Sequence, residues 1–336
     1  MNRVLVTGGA GTIGGAVVRR LLADPAWEVR VADQREAPLW IRESCEVVTV
    51  DLRDPATAAR ATGGCSHVIH LAAIVGGIGN FHKLPYTLLE MNTGLYNGVF
   101  RGALEAGVER LLYVSSSMVF ERAAEFPTSE EHIERTPIPE SAYGFSKLAG
   151  EVYCRALHEE FGVPFTICRP FNAYGPGEVP QDEPGIAHLV PDLIKKVLAG
   201  QRPLQVFGSG KQTRTITHID DIADGLVTAL AHPAAENEDF NISASEEMSV
   251  AEIARIVWEE CGEPAQEFEL EHLPSFRVDV QRRWPSVEKA ERLLGWRARI
   301  GARAGIRETV EWLRAASDPA ERRGEAARQA RWTSYP

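Results

Sequence analysis

Val4-Leu5-Val6-Thr7-Gly8-Gly9-Ala10-Gly11-Thr12-Ile13-Gly14 decides the fold. An apolar strand runs into a turn in which Gly8, Gly11 and Gly14 recur at every third position, and a helical pattern follows from Gly14 to Leu22. Glycine there permits the tight turn and lets backbone N–H groups approach a pyrophosphate at the positive end of the helix. The spacing alone is weak evidence, but the strand before it and the helix after it supply the context a dinucleotide loop needs. Asp33 ends the next strand about 20 residues on, where a carboxylate can bind ribose hydroxyls. Because that carboxylate repels a 2′-phosphate, NAD is expected; Arg35, two residues away, keeps NADP open.

Outward from the loop, short apolar strands alternate with helical patterns. Strands are expected at Glu28 to Ala32, Val47 to Val50, Val68 to Leu71, Leu111 to Val114 and Phe165 to Cys168. Helices are expected at Pro55 to Ala61, Leu88 to Ala106 and Tyr143 to Phe161. Continuous apolar strands separated by helices mean a parallel sheet covered on both faces. The expected class is therefore α/β, a Rossmann-type doubly wound sheet with a smaller, mostly C-terminal substrate domain.

After Arg169 the texture changes: Asn172 to Gly185 is rich in Gly, Pro and acids, which suits a loop and a domain crossing. Further helices are expected at Pro191 to Ala199, Asp220 to Ala231, Val250 to Cys261, Ser286 to Leu294 and Ala304 to Ala316, with Ser286 able to cap the fourth. The division expected is a dinucleotide domain over 1–170, rejoined by 217–243. A substrate domain would take 171–216 and 244–316, leaving 317–336 as a polar tail.

The 336 residues carry a net charge of −11, which argues against a general nucleic-acid binder. No apolar run approaches the roughly 20 residues that cross a bilayer. The five cysteines are scattered without a Cys-x-x-Cys, so no metal site is expected and a reducing cytoplasm is.

Tyr143 and Lys147 fall four apart in Ser141-Ala142-Tyr143-Gly144-Phe145-Ser146-Lys147, so a helix puts both on one face. The ammonium and an oxidised nicotinamide would stabilise a phenolate and pull the tyrosine pKa below about 10. Such a tyrosine can take a hydroxyl proton while hydride leaves the same carbon.

With those residues in view, the chain resembles an extended short-chain dehydrogenase/reductase of the nucleotide-sugar epimerase/dehydratase kind. The likeness runs through the glycine loop, Asp33, His70-Leu71-Ala72-Ala73, Asn92, Ser115-Ser116-Ser117 and Tyr143-x-x-x-Lys147. It continues through Arg169 to Gly177, Phe207 to Arg214 and Leu293-Leu294-Gly295-Trp296. It implies NAD held by Gly8, Gly11, Thr12, Ile13, Gly14, Asp33, Asp51, Leu52, Leu71, Ala72, Ala73, Asn92, Tyr143 and Lys147. It also implies a nucleotide-diphosphate sugar as substrate and a homodimer built through helix pairs. Tyr143 would be the base, Lys147 its tuner and ribose ligand, and Ser116 the partner of the reacting hydroxyl. Asn172 and Arg214 would hold the diphosphate. Gln281-Arg282-Arg283-Trp284-Pro285-Ser286 is similar to a stretch of UDP-glucuronate decarboxylases that binds phosphate, so one of Arg282 and Arg283 should do so.

The reaction turns on the two residues after Ser116. Dehydratases, decarboxylases, GDP-mannose 3,5-epimerase and GDP-fucose synthase place an acid or cysteine there, whereas this chain has Ser117 and Met118. A thioether cannot exchange protons, so C4 epimerisation, as in UDP-glucose 4-epimerase, is the leading expectation. Against it, Ile74 to Phe81, with Gly76 and Gly77, resembles the loop over the sugar in GDP-mannose 3,5-epimerase and GDP-fucose synthase. His188 falls where the latter has a catalytic histidine. An imidazole there could work at C3 or C5, or serve a keto-sugar reductase or dehydratase. A non-catalytic NAD-binding protein is a distant third expectation, since fold alone does not establish activity.

Overall fold

The computed structural model describes residues 2–75, 84–180, 187–276 and 279–316. Strand β1 (Asn2–Thr7) buries Val4, Leu5 and Val6 completely and pairs in parallel with β2 (Trp27–Asp33) and β4 (His67–His70). Beyond β2 lies β3 (Glu46–Thr49); beyond β4 come β5 (Arg110–Val114), β6 (Phe165–Pro170) and a late strand, β11 (Glu238–Ile242). The order across this seven-stranded sheet is β11-β6-β5-β4-β1-β2-β3. Strand order reverses between β1 and β4, and a ligand crevice opens beyond the carboxyl ends of strands at such a switch.

Helices cover both faces. On one side α1 (Thr12–Leu22), α2 (Leu39–Ser44), α7 (Ile219–Ala231) and α9 (Glu288–Leu294) pack on Val6, Val31 and Leu112. On the other, α3 (Pro55–Thr62), α4 (Pro85–Ala106) and α5 (Ala142–Phe161) pack on Leu5, Val68 and Leu111. Each fully buried aliphatic adds about 1.5–3 kcal/mol, so the strand ends that carry the site are held firmly. Asp54 caps α3, with Pro55 at its first position, and Gly107 and Gly162 end α4 and α5 in the left-handed conformation.

A third core gathers α6 (Leu189–Leu198), β8 (Leu204–Phe207), α8 (Val250–Glu260) and α10 (Ala302–Ala316) around the buried Trp258. Small sheets frame it. They are β7 (Ala173–Tyr174) with β10 (Thr217–His218), β8 with β13 (Leu270–Leu273), and β9 (Thr213–Arg214) between β12 (Met248–Ser249) and β14 (Arg282–Arg283).

The expected elements are present with ends shifted by up to three residues. Two details differ. Residue 287, not Ser286, is the cap of α9, and the Ser286 hydroxyl reaches only the Glu288 N–H at 3.4 Å. β11 carries polar Glu238, Asp239 and Asn241 among its apolar residues and so lacks a strand's usual apolar run.

Candidate active site

The glycine loop is shaped by contact. At Gly8, with φ +72°, a Cβ would stand 2.8 Å from the Ala72 nitrogen, and at Gly14 one would stand 2.2 Å from the Gly8 carbonyl oxygen. The α1 terminus has Gly11 as its cap, no side-chain cap and no acid in its first turn. Its open N–H groups therefore form a cradle for an anion at the end of a helix dipole. Thr12 and Ile13 open that helix; Ile13 packs on the core, and the Thr12 hydroxyl donates to the Gly177 carbonyl at 3.1 Å.

Asp33, at the end of β2, is 5% exposed and accepts the Ala10 N–H at 3.1 Å. Arg35 folds back on the same carboxylate, from its backbone at 2.9 Å and from Nη2 at 3.1 Å. Leu71 and Ala72 close the crevice by donating their N–H groups to the Thr7 hydroxyl at 3.2 and 3.1 Å, with Ala73 following. This cradle fits a dinucleotide.

Three of the expected cofactor contacts have other partners. The Asp51 carboxylate is forked by Arg53 at 2.6–3.0 Å. Leu52 is a core side chain. Asn92, fully buried, accepts the Ile74 N–H at 2.7 Å and donates to the Ser146 hydroxyl at 3.1 Å, which ties the β4 end to α5.

Tyr143 and Lys147 lie on α5, 7% and 3% exposed. Ser141 caps that helix by accepting the Gly144 N–H at 3.1 Å. Glu121 in turn accepts both the Ser141 backbone N–H and its hydroxyl. The Tyr143 phenol is hydrogen-bonded to Ser116. Ser116 also caps the single turn Ser117–Phe120, accepting the Met118 N–H at 3.2 Å. Lys147 donates to the Val114 carbonyl at 2.9 Å and stands 5.3 Å over the Tyr113 ring.

Burial raises the Tyr143 pKa above its usual value, outweighing the lowering by the Ser116 hydrogen bond and the Arg283 charge. The Lys147 ammonium is turned to Val114, and burial pushes its own pKa down to about 7.

Around the tyrosine, Met118, Leu88 and Val280 join it in one apolar cluster. Arg283 Nη2 lies 2.8 Å from Met118 Sδ and Nη1 3.3 Å from Asn172 Oδ1. Its Nε is buried without a hydrogen-bond partner, and burial pushes its pKa down to about 9, with Arg214 reinforcing the shift. Asn172 holds a positive φ of 38° and donates to the Thr215 carbonyl at 2.8 Å. Ser117 is buried in the same turn as Met118.

Of the two arginines, Arg283 lies beside Met118 and Asn172, while Arg282 is exposed, paired with Glu247 at 2.7 Å and lying over Phe126 and Trp284. Arg214 forks inward instead, to Asp279 at 3.1 Å and the Val280 carbonyl at 2.6 Å. Gly76 and Gly77 lie outside the described residues.

His188 precedes α6, and Glu178 offers both carboxylate oxygens to its Nδ1 at 2.9 and 2.8 Å. Sequence reasoning missed Glu121 and Glu178. The only trace of them is local, since Glu121 shares the turn after Ser116 and Glu178 follows Gly175-Pro176-Gly177.

The model of the NAD dependent epimerase/dehydratase family matches residues 4–243. GDP-L-fucose synthase of Sinorhizobium fredii is 31% identical over 76% of this chain and 79% of its own length. UDP-glucose 4-epimerase of Mycolicibacterium smegmatis is 31% identical over 93% and 98%. The crystal structure of Thermus thermophilus UDP-glucose 4-epimerase with NAD superposes with a TM-score of 0.81 at 29% identity, covering 94% of this chain and 99% of that one. With a cradle of that shape and a Ser–Tyr–Lys set whose tyrosine and lysine are buried, the chain belongs to the NAD dependent epimerase/dehydratase family and uses NAD.

Proposed function

We propose that this chain is a nucleotide-sugar epimerase that works through a 4-keto intermediate and inverts C4. The observation that carries the reading is Met118: next to the Ser116–Tyr143 pair stands a thioether where elimination or decarboxylation would need a proton-exchanging group. NAD, held by the glycine cradle and Asp33, would supply a hydride acceptor. Tyr143 takes the C4 hydroxyl proton, Ser116 holds that oxygen in line, and Lys147 lies within the same buried wall. Arg283 and Asn172 are assigned to the substrate's negative charge. Turning of the keto sugar before hydride returns inverts the centre.

Substrate deuterated at C4 tests this. With UDP-glucose as probe, an inverted product that keeps the label supports the reading; a product with C4 unchanged overturns it.

A second reading places chemistry at C3 or C5 and is favoured by one contact, Glu178 on His188. For the chain's organisation, we assign residues 1–170 and 217–243 to the dinucleotide unit and 171–216 with 244–316 to the substrate unit, consistent with the separate core around Trp258. We also assign a homodimer through α4 and α5, whose exposed faces carry Tyr86, Phe145 and Val152. Five unpaired cysteines fit a reducing cytoplasm, and among the described residues no helix is long and apolar enough to cross a membrane.

A further inference from the structure

His70 ends β4 immediately before Leu71-Ala72-Ala73 and is 1% exposed. Its cross-strand neighbour on β1 is the fully buried Thr7, whose hydroxyl lies 2.8 Å from His70 Nδ1. That hydroxyl also accepts the Ala72 N–H at 3.1 Å and the Leu71 N–H at 3.2 Å, the latter shared with the Thr7 carbonyl at 3.3 Å. Gly8 follows Thr7 and lies so near this wall that a Cβ on it would stand 2.8 Å from the Ala72 nitrogen. The Thr7 hydroxyl is thus the joint between the glycine loop and the end of β4.

The direction of the His70–Thr7 contact follows from the hydrogens available. A hydroxyl has one hydrogen to give and two lone pairs. Leu71 and Ala72 take the lone pairs, so the Thr7 hydrogen goes to His70 Nδ1. An Nδ1–H would instead bring a third donor to the Thr7 oxygen and leave the hydroxyl hydrogen buried without an acceptor, which is unfavourable. The imidazole is therefore neutral, with Nδ1 bare and its proton on Nε2. Among the described residues Nε2 has no hydrogen-bond partner, and the rings of Tyr96, Phe100 and Tyr113 surround the imidazole. Aromatic faces accept an N–H weakly. The two phenols give their hydrogens elsewhere, Tyr113 to Tyr96 and Tyr96 to the Ser146 carbonyl, so neither serves a bare Nε2. Burial, reinforced by the Lys147 charge, also pushes the His70 pKa down to about 3.

We propose that His70 is a positioning residue for the cofactor. By accepting the Thr7 hydrogen it turns the lone pairs of that oxygen onto the Leu71 and Ala72 N–H groups, and so sets the spacing between the glycine cradle and the end of β4. The inference rests on NAD lying in that cradle and is independent of which sugar carbon is inverted. An imidazole suits the place because a bare ring nitrogen accepts without presenting a donor at the same atom. A proton on Nδ1 would turn the Thr7 hydroxyl round and release the two backbone N–H groups.

The tautomer is read on the NAD-loaded full chain, labelled with the heavy nitrogen isotope, from couplings between the ring nitrogens and the carbon-bound ring protons. The His70 ring is identified by its contacts with Thr7. Nδ1 should show the shift of a bare ring nitrogen and Nε2 that of a protonated one; a proton on Nδ1 overturns the proposal. Calorimetric titration of the full chain with NAD gives a second readout. His70→Phe keeps a ring and removes the acceptor, and Thr7→Val removes the hydroxyl; each should weaken NAD binding about tenfold, as expected for one buried hydrogen bond. The double variant should bind NAD within about twofold of Thr7→Val alone, because His70 acts only through that hydroxyl. Additive losses, about a hundredfold in the double variant, would mean that His70 works by another route. A His70→Phe protein that unfolds in less urea yet binds NAD as wild type does would make His70 a core residue only. Either result overturns the proposal. Should a variant fail to fold, the wild-type tautomer decides alone.

Discussion

Arg283 rests its guanidinium on the sulfur of Met118, with Nη2 2.8 Å from Sδ. A thioether is a weak acceptor, and the Arg283 Nε is buried without a partner. This half-buried cation therefore stands with part of its hydrogen-bonding capacity unmet, and burial depresses its pKa to about 9. An anionic substrate group would relieve both deficits at once.

Arg283→Gln should therefore weaken sugar-nucleotide binding about ten- to hundredfold, the equivalent of about 1.5–3 kcal/mol for a charged hydrogen bond, with NAD binding unchanged. Arg282→Ala, which removes an exposed pair with Glu247, should stay within about twofold of wild type. Calorimetric titration of the three proteins with UDP-glucose checks this, and equal losses in the two variants would count against it.

Tyr143→Phe removes one oxygen from a helix whose cap and packing stay in place. Turnover should fall by about 10²–10⁴-fold while NAD remains bound, read as cofactor released on denaturation. Because Arg283 lowers the Tyr143 pKa, Arg283→Gln should also move the tyrosine-dependent limb of the pH–rate profile to higher pH.

How far the sequence reaches depends on the range of the interaction. The glycine loop, the apolar strands and the Tyr143–Lys147 spacing are local patterns, and each appears where the periodicity puts it. Choosing between Arg282 and Arg283 needs the register of β14 on β9, which pairs Arg283 with Arg214 and turns Arg282 toward Glu247. Pairing of Glu178 with His188 closes a gap in sequence that no periodicity spans. Lys147 shows the same limit in another form. The spacing gives its face, but the Val114 carbonyl decides where the ammonium points.

Gly14→Ala should abolish NAD binding in a protein that still folds. The added methyl would stand 2.2 Å from the Gly8 carbonyl oxygen and 2.8 Å from the Gly9 Cα, both backbone atoms that cannot swing aside. The loop must open, and its N–H groups lose their convergence on the pyrophosphate. Unchanged far-ultraviolet dichroism with no retained cofactor is the expected pair of results.

Val152 and Phe145 are 58% and 44% exposed on α5, and Tyr86 is 78% exposed on α4. Sedimentation should give a dimer for the wild-type chain. Val152→Glu, which places a charge in the apolar face, should shift it to monomer.

Asp239 links β11 to the catalytic helix. Its carboxylate accepts Arg169 at 2.7 Å and Lys289 at 2.7 Å, and the fully buried Arg169 also forks Glu151, one turn beyond Lys147. Burial alone would raise the Asp239 pKa, but Arg169 and Lys289 hold it down at about 2. A carboxyl depressed in the folded state contributes stability that is present above its unfolded pKa of about 4 and lost as pH falls through about 2. Asp239→Asn should cost about 3 kcal/mol at neutral pH, the low end for breaking a buried pair, because Arg169 keeps Glu151. The gap between the two proteins should narrow as pH drops from about 4 toward 2. Urea unfolding at neutral pH and at a series of acid values measures it; a gap that stays constant would mean that the Arg169–Asp239 contact carries no net charge stabilisation.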